Sequence, residues 1–369
     1  MNAAFVSHPA FQVPGFGKHH PLSINRQAAV LDLCEAMGWL TSHPIHEPQL
    51  PSRATLERFH TPGYLDAFES SARLMMATPH VRERYNLGTM ECPLFAGVWD
   101  RARATVGGSI LAAELALMGN VAFHPGGGTH HGRPGRAAGF CYLNDPVFAI
   151  LRFLDAGLSR VLYVDLDAHH GDGVEAAFAN DPRVTMVSIH EEGRWPGTGG
   201  ISSPASKNAY NFPVPRHIND CEFSFLVDEV CNRRLNSLKP QAVVIICGAD
   251  PLKGDPLSSM ELSNATLWKA VAKCIALADH AVVLGGGGYN PWTTARAWAG
   301  LWAQLSGQPI PDRLTGTASS VLARLSCDLI EDEDRNPAWL TTLIDPEYIG
   351  PVRTRIRDIA DAVLNPTGA

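Results

Sequence analysis

Residues 161–173 read VLYVDLDAHHGDG, and this stretch decides the fold. A short apolar run, which is typical of a buried strand, passes directly into a cluster of acids and histidines. The same order, with an apolar run followed by a polar or glycine-rich segment, recurs along the chain. We therefore predict strands at residues 121–123, 161–164, 184–189, 243–246 and 282–284.

Longer stretches with apolar residues at helical spacing alternate with these runs. They lie at residues 95–118, 145–154, 223–238 and 262–278. Because alternating strands and helices form a mostly parallel sheet with helices on both faces, the predicted fold is α/β. We find no internal repeat and no long linker, so residues 1–369 are predicted to form one domain. The segment after about residue 310 should pack on it as a C-terminal decoration.

The segments that directly follow the predicted strands are unusually polar or rich in glycine. They are HPGGGTHHG (124–132), DLDAHHGDG (165–173), HEEGRWPGTGG (190–200), GADPLKGD (248–255) and GGGGYN (285–290). Ligands of open parallel sheets bind beyond the carboxyl ends of the strands. We therefore expect these loops to converge on one site.

The composition excludes several classes of protein. With 45% hydrophobic and 18% charged residues among 369, the chain can bury a sizeable core. A formal net charge of -7 without a dense Lys/Arg run argues against nucleic-acid binding. The eight cysteines are scattered without a CxxC pair, which favours a reducing cytoplasm. No secretory signal pattern and no bilayer-length apolar run is present, so we expect neither export nor a membrane partner.

Acids and histidines crowd the segment after the second predicted strand. Asp167 and His169 are two residues apart, so in an extended chain both face the same side and can bind one metal ion. A catalytic metal site needs a third protein ligand and one open position. Asp250, at the end of another predicted strand, is the best candidate. Nitrogen and oxygen ligands suit Zn²⁺, but also Fe²⁺, Co²⁺ or Mn²⁺.

The structural alternative is that this cluster only caps a helix over residues 174–178. Asp167 or Asp172 could serve as the cap, with the histidines merely exposed. For a single aspartate that interpretation would be the better one. Three acids and two histidines within eight residues favour a metal site instead.

A tandem pair, His130 and His131, follows the glycine run at residues 126–128. A neutral imidazole can accept a proton from water and return it to a leaving amine near neutral pH. The pair could instead form only hydrogen bonds with the backbone. However, its loop follows a predicted strand and should therefore lie beside the metal, at the carboxyl edge of the sheet. Asp165 and Asp172 are not needed as metal ligands, and we expect them to orient the two histidines and tune their charge.

Four glycines at residues 285–288 precede Tyr289. Such a run can cradle phosphates, but the GxGxxG fingerprint of dinucleotide enzymes fails at Asn290 or Pro291. Glycines also let the backbone approach a narrow pocket, where the Tyr289 hydroxyl could meet a developing oxyanion. An ordinary packing role for Tyr289 is the alternative.

Five motifs together resemble the histone deacetylase superfamily, in the branch shared by class I enzymes and bacterial acetoin-utilisation-type deacetylases. They are GTHHGRPGRAAGFCYLNDP (128–146), YVDLDAHHGDGVE (163–175), VSIHEEGRWPGTG (187–199), ICGADPLKGDPL (246–257) and VLGGGGYNP (283–291). The match extends from about residue 20 to residue 298, in the family's order and near its spacing. It implies a single arginase-like domain with an eight-stranded parallel sheet.

The resemblance also implies the parts of a zinc-dependent deacylase. His131 would be the general base and acid, His130 its electrostatic partner, and Tyr289 the donor that polarises the acyl carbonyl. One catalytic Zn²⁺ would be held by Asp167, His169 and Asp250. Family members also bind K⁺, which here implies the side chains of Asp165 and Ser188 and the carbonyls of His169 and Ile189.

A tunnel for acyl-lysine is implied as well. Phe140 and Trp195 resemble its aromatic walls, Gly139 its narrow floor and Leu257 an apolar lining residue, with core packing as the structural alternative for all four. Arg26 resembles the arginine at the base of an acetate-release channel.

Two residues depart from the family's pattern. Trp195 stands where many relatives have phenylalanine, and we expect it to narrow the tunnel mouth. Glu91 stands where many have the aspartate that grips the substrate backbone, and we expect a loosened or shifted recognition of peptides. Acetylpolyamine-specific relatives are expected to carry an acid near the position of Leu257, so its absence favours acyl-lysine.

The sequence therefore favours metal-assisted hydrolysis of an acyl-amide, with acetyl-lysine of proteins or peptides as the leading substrate. Small acylated amines, including polyamines, are the alternative among enzymes. A catalytically silent acyl-ligand binding protein is disfavoured, because the candidate ligands, both histidines and Tyr289 are all present. A homo-oligomer is compatible with these features.

Overall fold

Eight strands form one sheet at the centre of the computed structural model, which describes residues 2–201, 208–314 and 316–365. The strands are β1 (Asn2–Val6), β2 (Ile45–His46), β3 (Asn120–His124), β4 (Val161–Asp165), β5 (Val184–Glu191), β6 (Ala209–Val214), β7 (Ala242–Ile246) and β8 (His280–Leu284). They lie in the order β2-β1-β3-β8-β7-β4-β5-β6, and every neighbouring pair is parallel. The predicted eight-stranded parallel sheet is confirmed.

Helices cover both faces of this sheet. They are α1 (Arg26–Ala36), α2 (Arg53–Leu56), α3 (Pro62–Leu74), α4 (Pro79–Tyr85), α5 (Val98–Leu117), α6 (Asp145–Asp155), α7 (Asp172–Phe178), α8 (Asp220–Val230), α9 (Asn236–Leu238), α10 (Asn264–Ile275), α11 (Pro291–Ser306), α12 (Gly316–Ala323) and α13 (Thr354–Leu364). Short 3₁₀ turns lie at Pro9–Phe11, Pro21–Ser23 and Pro337–Leu340.

Strand β7 shows why the central strands are continuous apolar runs. Ala242, Val244 and Ile246 pack in a core with residues of α5, α6 and α7. Val243 and Ile245 point to the opposite face, into a core with α1, α8, α10 and α11. Because both faces of the strand are buried, it has no polar side. The same continuity made β3, β4, β5, β7 and β8 predictable.

The structure adds three strands that the sequence pattern did not indicate, β1, β2 and β6. Strand β2 has only two residues, and β1 begins with residues of low strand propensity. Strand β6 contains Pro213, which argues against a strand. At the edge of the sheet, however, a residue without an N–H is tolerated.

The helix predicted over 223–238 is not one regular α-helix. After α8 the chain forms a π-helical segment, Cys231–Leu235, before α9. Val230 and Leu235 are both buried although they are five residues apart. The wider i→i+5 turn places such a pair on one face.

The segment after residue 310 packs on the main body. Leu314, Ala318 and Ile356 are buried in the same core as one face of the sheet. The buried Arg296 forms an ion pair with Asp345 at 2.7 Å, which joins this segment to α11. Among the described residues, no helix is both long and apolar enough to cross a membrane.

Candidate active site

The loops after four central strands meet at one end of the sheet. Strands β3, β8, β7 and β4 are direct neighbours and all run in the same direction. Their carboxyl ends therefore lie at one edge, where open parallel sheets bind ligands. The segments 124–132, 285–290, 248–255 and 165–173 begin there.

Asp167, His169 and Asp250 form a group that could hold a metal ion, since one ligand atom from each lies within 4.8 Å of the others. Nδ1 of His169 lies 3.1 Å from Oδ1 of Asp167 and 2.9 Å from Oδ2 of Asp250. All three side chains are buried. The structure thus brings the three predicted ligands together.

Backbone amides hold the two carboxylates of this group. The N–H groups of His169 and Gly287 donate to Asp167 at 2.9 and 2.6 Å. The N–H of Ala168 donates to Asp250 at 3.0 Å. A Cβ atom at residue 287 would overlap the carboxylate of Asp250, so the close approach of this backbone requires glycine.

The charges of the group fit a cation. Burial and the neighbouring Asp167 raise the pKa of Asp250 to about 6, because two buried carboxylates resist carrying charge side by side. Burial disfavours a charged His169, but its hydrogen bonds to both carboxylates outweigh burial and raise its pKa to about 10. Both shifts reflect an excess of negative charge, which a divalent cation would neutralise. An oxygen and nitrogen donor set of this kind suits Zn²⁺.

His130 and His131 each pair with one of the predicted aspartates. Nδ1 of His130 lies 2.7 Å from Oδ2 of Asp165, and Nδ1 of His131 lies 2.8 Å from Oδ1 of Asp172. The centroids of the two imidazole rings are 3.9 Å apart. Asp172 lies at the first position of α7 and makes no cap bond, so the capping alternative does not describe it.

The two histidines differ in their affinity for protons. Burial disfavours a charged His130, but the charges of Asp165 and Asp167 outweigh burial and raise its pKa to about 9. For His131 burial is the largest effect, and the charge of His130 adds to it, so its pKa falls to about 3. At neutral pH His131 is therefore neutral beside a charged His130, as a general base requires.

Tyr289 faces the candidate metal group from the glycine run after β8. Its ring centroid lies 6.3 Å from that of His169 and 5.9 Å from that of Phe140. Burial raises the pKa of its hydroxyl well above the usual range, so the hydroxyl keeps its proton. Within the described residues this hydroxyl has no hydrogen-bond partner, which leaves it available to a ligand.

A surface cleft, the outer cleft, leads to this group, and its walls include Phe140, Trp195 and Leu257. The Trp195 side chain is 46% exposed, and its ring packs edge-on against His131 with centroids 4.6 Å apart. A Cβ atom at Gly139 would lie 2.5 Å from both His131 and Trp195. Any side chain at residue 139 would collide with these two rings, so only glycine at this position keeps the outer cleft open beside them.

Glu91 also lines the outer cleft, but the protein itself engages its carboxylate. Oε1 accepts the N–H of Gly139 at 2.5 Å, and Oε2 accepts the side-chain amide of Asn86 at 2.9 Å. Gly139 and Phe140 have φ values of 54° and 65°, which is a costly conformation for phenylalanine. A substrate backbone would have to share the carboxylate that holds this turn.

An inner cavity of about 90 Å³ lies beyond the outer cleft. Arg26 lines it, donates to the carbonyl of Gly288 at 2.9 Å and stacks over the ring of Trp298. The residues that line both the outer cleft and the inner cavity are His131, Gly139, Phe140 and Tyr289. Two of the predicted catalytic side chains, His131 and Tyr289, thus lie where the two spaces join.

Asp255 was not among the residues predicted from the sequence, but it connects two predicted site residues. Its carboxylate accepts the N–H of Tyr289 at 2.7 Å and that of Leu257 at 2.9 Å. Burial and the charge of Asp250 raise its pKa to about 8. Its place in GADPLKGD after a predicted strand was the available signal.

Arg133 and Asp145 were missed as well. Arg133 forms an ion pair with Asp172, the partner of His131. The buried Asp145 accepts the N–H groups of Gly128 and Thr129 at 3.0 and 2.7 Å, and so fixes the loop that carries the two histidines. Both residues lie within GTHHGRPGRAAGFCYLNDP, where polar residues near the histidines were a usable signal.

Comparisons with known proteins identify relatives of the chain. The histone deacetylase domain family matches residues 20–305. Acetoin utilization protein AcuC of Bacillus subtilis (strain 168) is 32% identical over 321 residues, which cover 83% of this chain and 82% of that protein. Histone deacetylase 8 of Xenopus tropicalis is 34% identical over 297 residues, covering 78% of this chain and 80% of the relative.

Solved structures agree with the fold. The crystal structure of an HDAC homolog from Aquifex aeolicus matches with a TM-score of 0.93 and 32% identity, covering 99% of this chain and 100% of that one. A structure of an HDAC homolog complexed with SAHA matches with the same TM-score, identity and coverage. The similarity therefore includes the segments outside the matched domain.

Proposed function

The chain belongs to the histone deacetylase family, and on that premise we propose that it is a zinc-dependent amidohydrolase that removes acyl groups from lysine side chains. Acetyl is the expected acyl group, and proteins or peptides are the expected substrates. The observation that carries this proposal is the position of Asp167, His169 and Asp250. They lie within 4.8 Å of one another, beside the junction of the outer cleft and the inner cavity.

The donor chemistry and the excess negative charge of this group support Zn²⁺ as the resident metal. When bound, zinc would acidify a water molecule and polarise the acyl carbonyl. Asp167, His169 and Asp250 would hold it. The amides that bond the two carboxylates keep these ligands in place without the metal.

His131 is proposed to move the proton. Its neutral imidazole accepts a proton from the attacking water and then delivers it to the leaving lysine nitrogen. Asp172 holds Nδ1 of His131, so Nε2 is the nitrogen that exchanges the proton. The charged His130, kept in place by Asp165, favours the neutral form of His131.

Tyr289 is proposed to stabilise the negative charge that develops on the acyl oxygen. Its protonated hydroxyl, without another partner among the described residues, is free to donate to that oxygen. Phe140, Trp195 and Gly139 leave a narrow passage for a lysine side chain, and the exposed face of Trp195 lies at its mouth.

The rim of the outer cleft favours lysine over polyamines. A polyamine needs unpaired carboxylates for its distal ammonium groups. Here Arg194 neutralises Glu191 at 2.7 Å, and Arg355 pairs with Glu192 at 2.9 Å. Glu91 accepts two amide groups of the protein, and Leu257 adds an apolar surface at the rim, so the cleft offers a long cationic chain few carboxylates.

A structural potassium ion is part of this proposal. Asp165 and Ser188 are register partners on β4 and β5, so both side chains named for K⁺ lie side by side. The carboxylate of Asp165 also accepts the hydroxyl of Tyr163 at 2.5 Å.

The test is a turnover panel with zinc-loaded and chelator-treated protein. An acetyl-lysine peptide and an acetylated polyamine are compared at matched concentration. We expect kcat/KM for the peptide to exceed that for the polyamine by ~10-fold or more, and chelation to abolish both activities. Leu257→Glu should shift the substrate preference towards the polyamine. Leu257→Gln introduces a side chain as long as glutamate but without its charge, and should not shift the preference.

Three outcomes would contradict parts of this proposal. Turnover of the polyamine alone would reverse the substrate ranking. Peptide binding without turnover of either compound would favour the silent acyl-ligand binding protein. Full turnover in metal-free protein would remove the metal from the proposal.

A further inference from the structure

Two arginines share the inner cavity. Arg26, at the start of α1, and Arg101, on α5, both line it. One N–H group of the Arg26 guanidinium donates to the carbonyl of Gly288. Arg101 makes three hydrogen bonds, all to uncharged acceptors, namely the carbonyls of Ala10 and Val13 and Oε1 of Gln27.

Neither guanidinium forms an ion pair with a carboxylate in the part of the chain that the structure describes. The charges of Asp250 and Asp167 act on Arg26 from a longer distance, but these carboxylates belong to the candidate metal group. Arg26 is only 8% exposed. Burial and the charge of Arg26 lower the pKa of Arg101 to about 10. Arg101 is half-buried. A charge removed from water without a charged partner is costly, and two neighbouring charges of the same sign favour an anion between them.

Part of the remaining lining of the inner cavity is apolar and suits a short carbon chain. It includes the side chains of Phe16, Leu22, Ile24, Phe95 and Ala102. The cavity volume of about 90 Å³ exceeds the ~10–15 Å³ that one water molecule needs. An acyl group whose carbonyl lies beside Tyr289 would extend into this cavity, because Tyr289 lines both spaces.

We propose that the inner cavity binds the distal carboxylate of a dicarboxylic acyl group, such as succinyl or glutaryl on lysine, through Arg26 and Arg101. This inference rests on the proposed deacylase function. An acetyl group ends in a methyl and gives neither guanidinium a partner. A carboxylate-terminated acyl group supplies one before the reaction, and the product is a dianion facing two cations.

The reaction balances with one water molecule. The water oxygen bonds to the acyl carbon, and the amide C–N bond breaks. Both protons of the water end on the lysine nitrogen, one delivered by His131 and one released as the new carboxyl group ionises, so the products are a lysine ammonium group and a dicarboxylate.

The test compares three peptides of one sequence, carrying acetyl-, butyryl- or succinyl-lysine, with the zinc-loaded full-length protein. Butyryl and succinyl have the same number of carbons and differ in a terminal methyl or carboxylate. We expect kcat/KM for succinyl to exceed that for butyryl by ~10-fold or more, the effect of a hydrogen bond to a charged group. Arg101→Met should reduce this ratio by a similar factor, and Arg101→Lys should restore part of it.

A matched control is available on the same helix. Arg103 donates to the carbonyl of Pro51, away from the cavity lining. Arg103→Met should leave the succinyl to butyryl ratio unchanged. Calorimetry on the wild type adds a measurement that does not depend on the variants: succinate should bind ~10-fold more tightly than butyrate.

The outcomes separate this inference from the proposed function. Turnover of acetyl-lysine with no preference for succinyl over butyryl overturns the inference and leaves the deacylase function standing. Equal affinities for succinate and butyrate overturn it as well. No turnover of any of the three peptides by the zinc-loaded protein overturns the proposed function, and this inference falls with it.

Discussion

His130 and His131 are adjacent, similarly buried and each hydrogen-bonded through Nδ1 to an aspartate. Nevertheless the pKa of His130 is raised and that of His131 is lowered. The contact distances, 2.7 and 2.8 Å, do not explain the difference. The difference in pKa comes from the other charges near each histidine. His130 interacts with Asp167 in addition to Asp165, whereas His131 lies beside the positive charge of His130.

The two aspartates also differ in their second partner, which is Arg133 for Asp172 and Tyr163 for Asp165. Arg133 forms an ion pair with Asp172, so that carboxylate is shared between a guanidinium and the imidazole of His131. The carboxylate of Asp165 instead accepts the hydroxyl of Tyr163, which is neutral. Asp165 therefore accepts a hydrogen bond from a charged histidine, His130, and Asp172 accepts one from a neutral histidine, His131. Two His–Asp contacts of nearly equal length are therefore not chemically equivalent.

Replacing His131 should have the largest effect on turnover, because it removes the neutral histidine of the pair. His131→Ala should lower kcat by ~10²–10⁴, because it removes the proposed base without touching the metal ligands. Metal content and kcat measured on one preparation check this. Wild-type turnover in the folded, metal-loaded variant would mean that His130 and His131 have only a structural role.

Tyr289→Phe sharpens the comparison, because it leaves both histidine pairs intact. Loss of one oxyanion donor should lower kcat by ~10²–10³, or about 3–4 kcal/mol, with KM changed far less. The shape of the pH profile and the melting temperature should stay close to wild type. A lowered melting temperature with near-normal kcat would instead assign Tyr289 to packing.

Asp172→Asn tests whether the pair at His131 needs a charged partner. We expect kcat to fall by ~10–100-fold, less than for loss of His131 itself, because the imidazole stays in place but loses the charged acceptor at Nδ1. Asp181→Asn is the control, because the carboxylate of Asp181 pairs with the exposed Arg183 in a surface contact. Equal activity of both variants would contradict a role for the charge of Asp172.

His130→Gln should have the smallest effect on kcat and the clearest effect on pH dependence. The charge of His130 lowers the pKa of His131, so its removal raises that pKa from about 3 towards the ordinary value. The neutral base is then lost at a higher pH. The acidic limb of the kcat/KM profile should move upwards in pH, whereas an unchanged limb would mean that His130 does not control His131.

Much of the fold and of the candidate site could be predicted from local pattern. The strands β4 and β7 are buried on both faces, so their sequences are continuous apolar runs. Asp167 and His169 are close in sequence, and the strand before them fixes their direction. The parallel order then brings the distant Asp250 to the same edge.

The remaining features depend on contacts that no local pattern encodes. The edge position that tolerates Pro213 in β6 exists only once the sheet is assembled. Asp255 connects Tyr289 with Leu257 across loops that are distant in sequence. The unequal proton affinities of the two histidines depend on charges brought close by folding. Arg101, a helix residue without a motif, becomes notable only because it lines the inner cavity.

Stepwise addition of zinc to metal-free protein tests whether one zinc ion per chain is required for deacetylation. Deacetylation of an acetyl-lysine peptide is recorded after each addition. We expect activity to rise from baseline and to reach its limit at one equivalent of zinc per chain, since the structure offers one group of three ligands within the described residues. In Asp250→Ala, the same titration should give no activity up to one equivalent. Full deacetylation by protein shown to contain no metal would contradict the account.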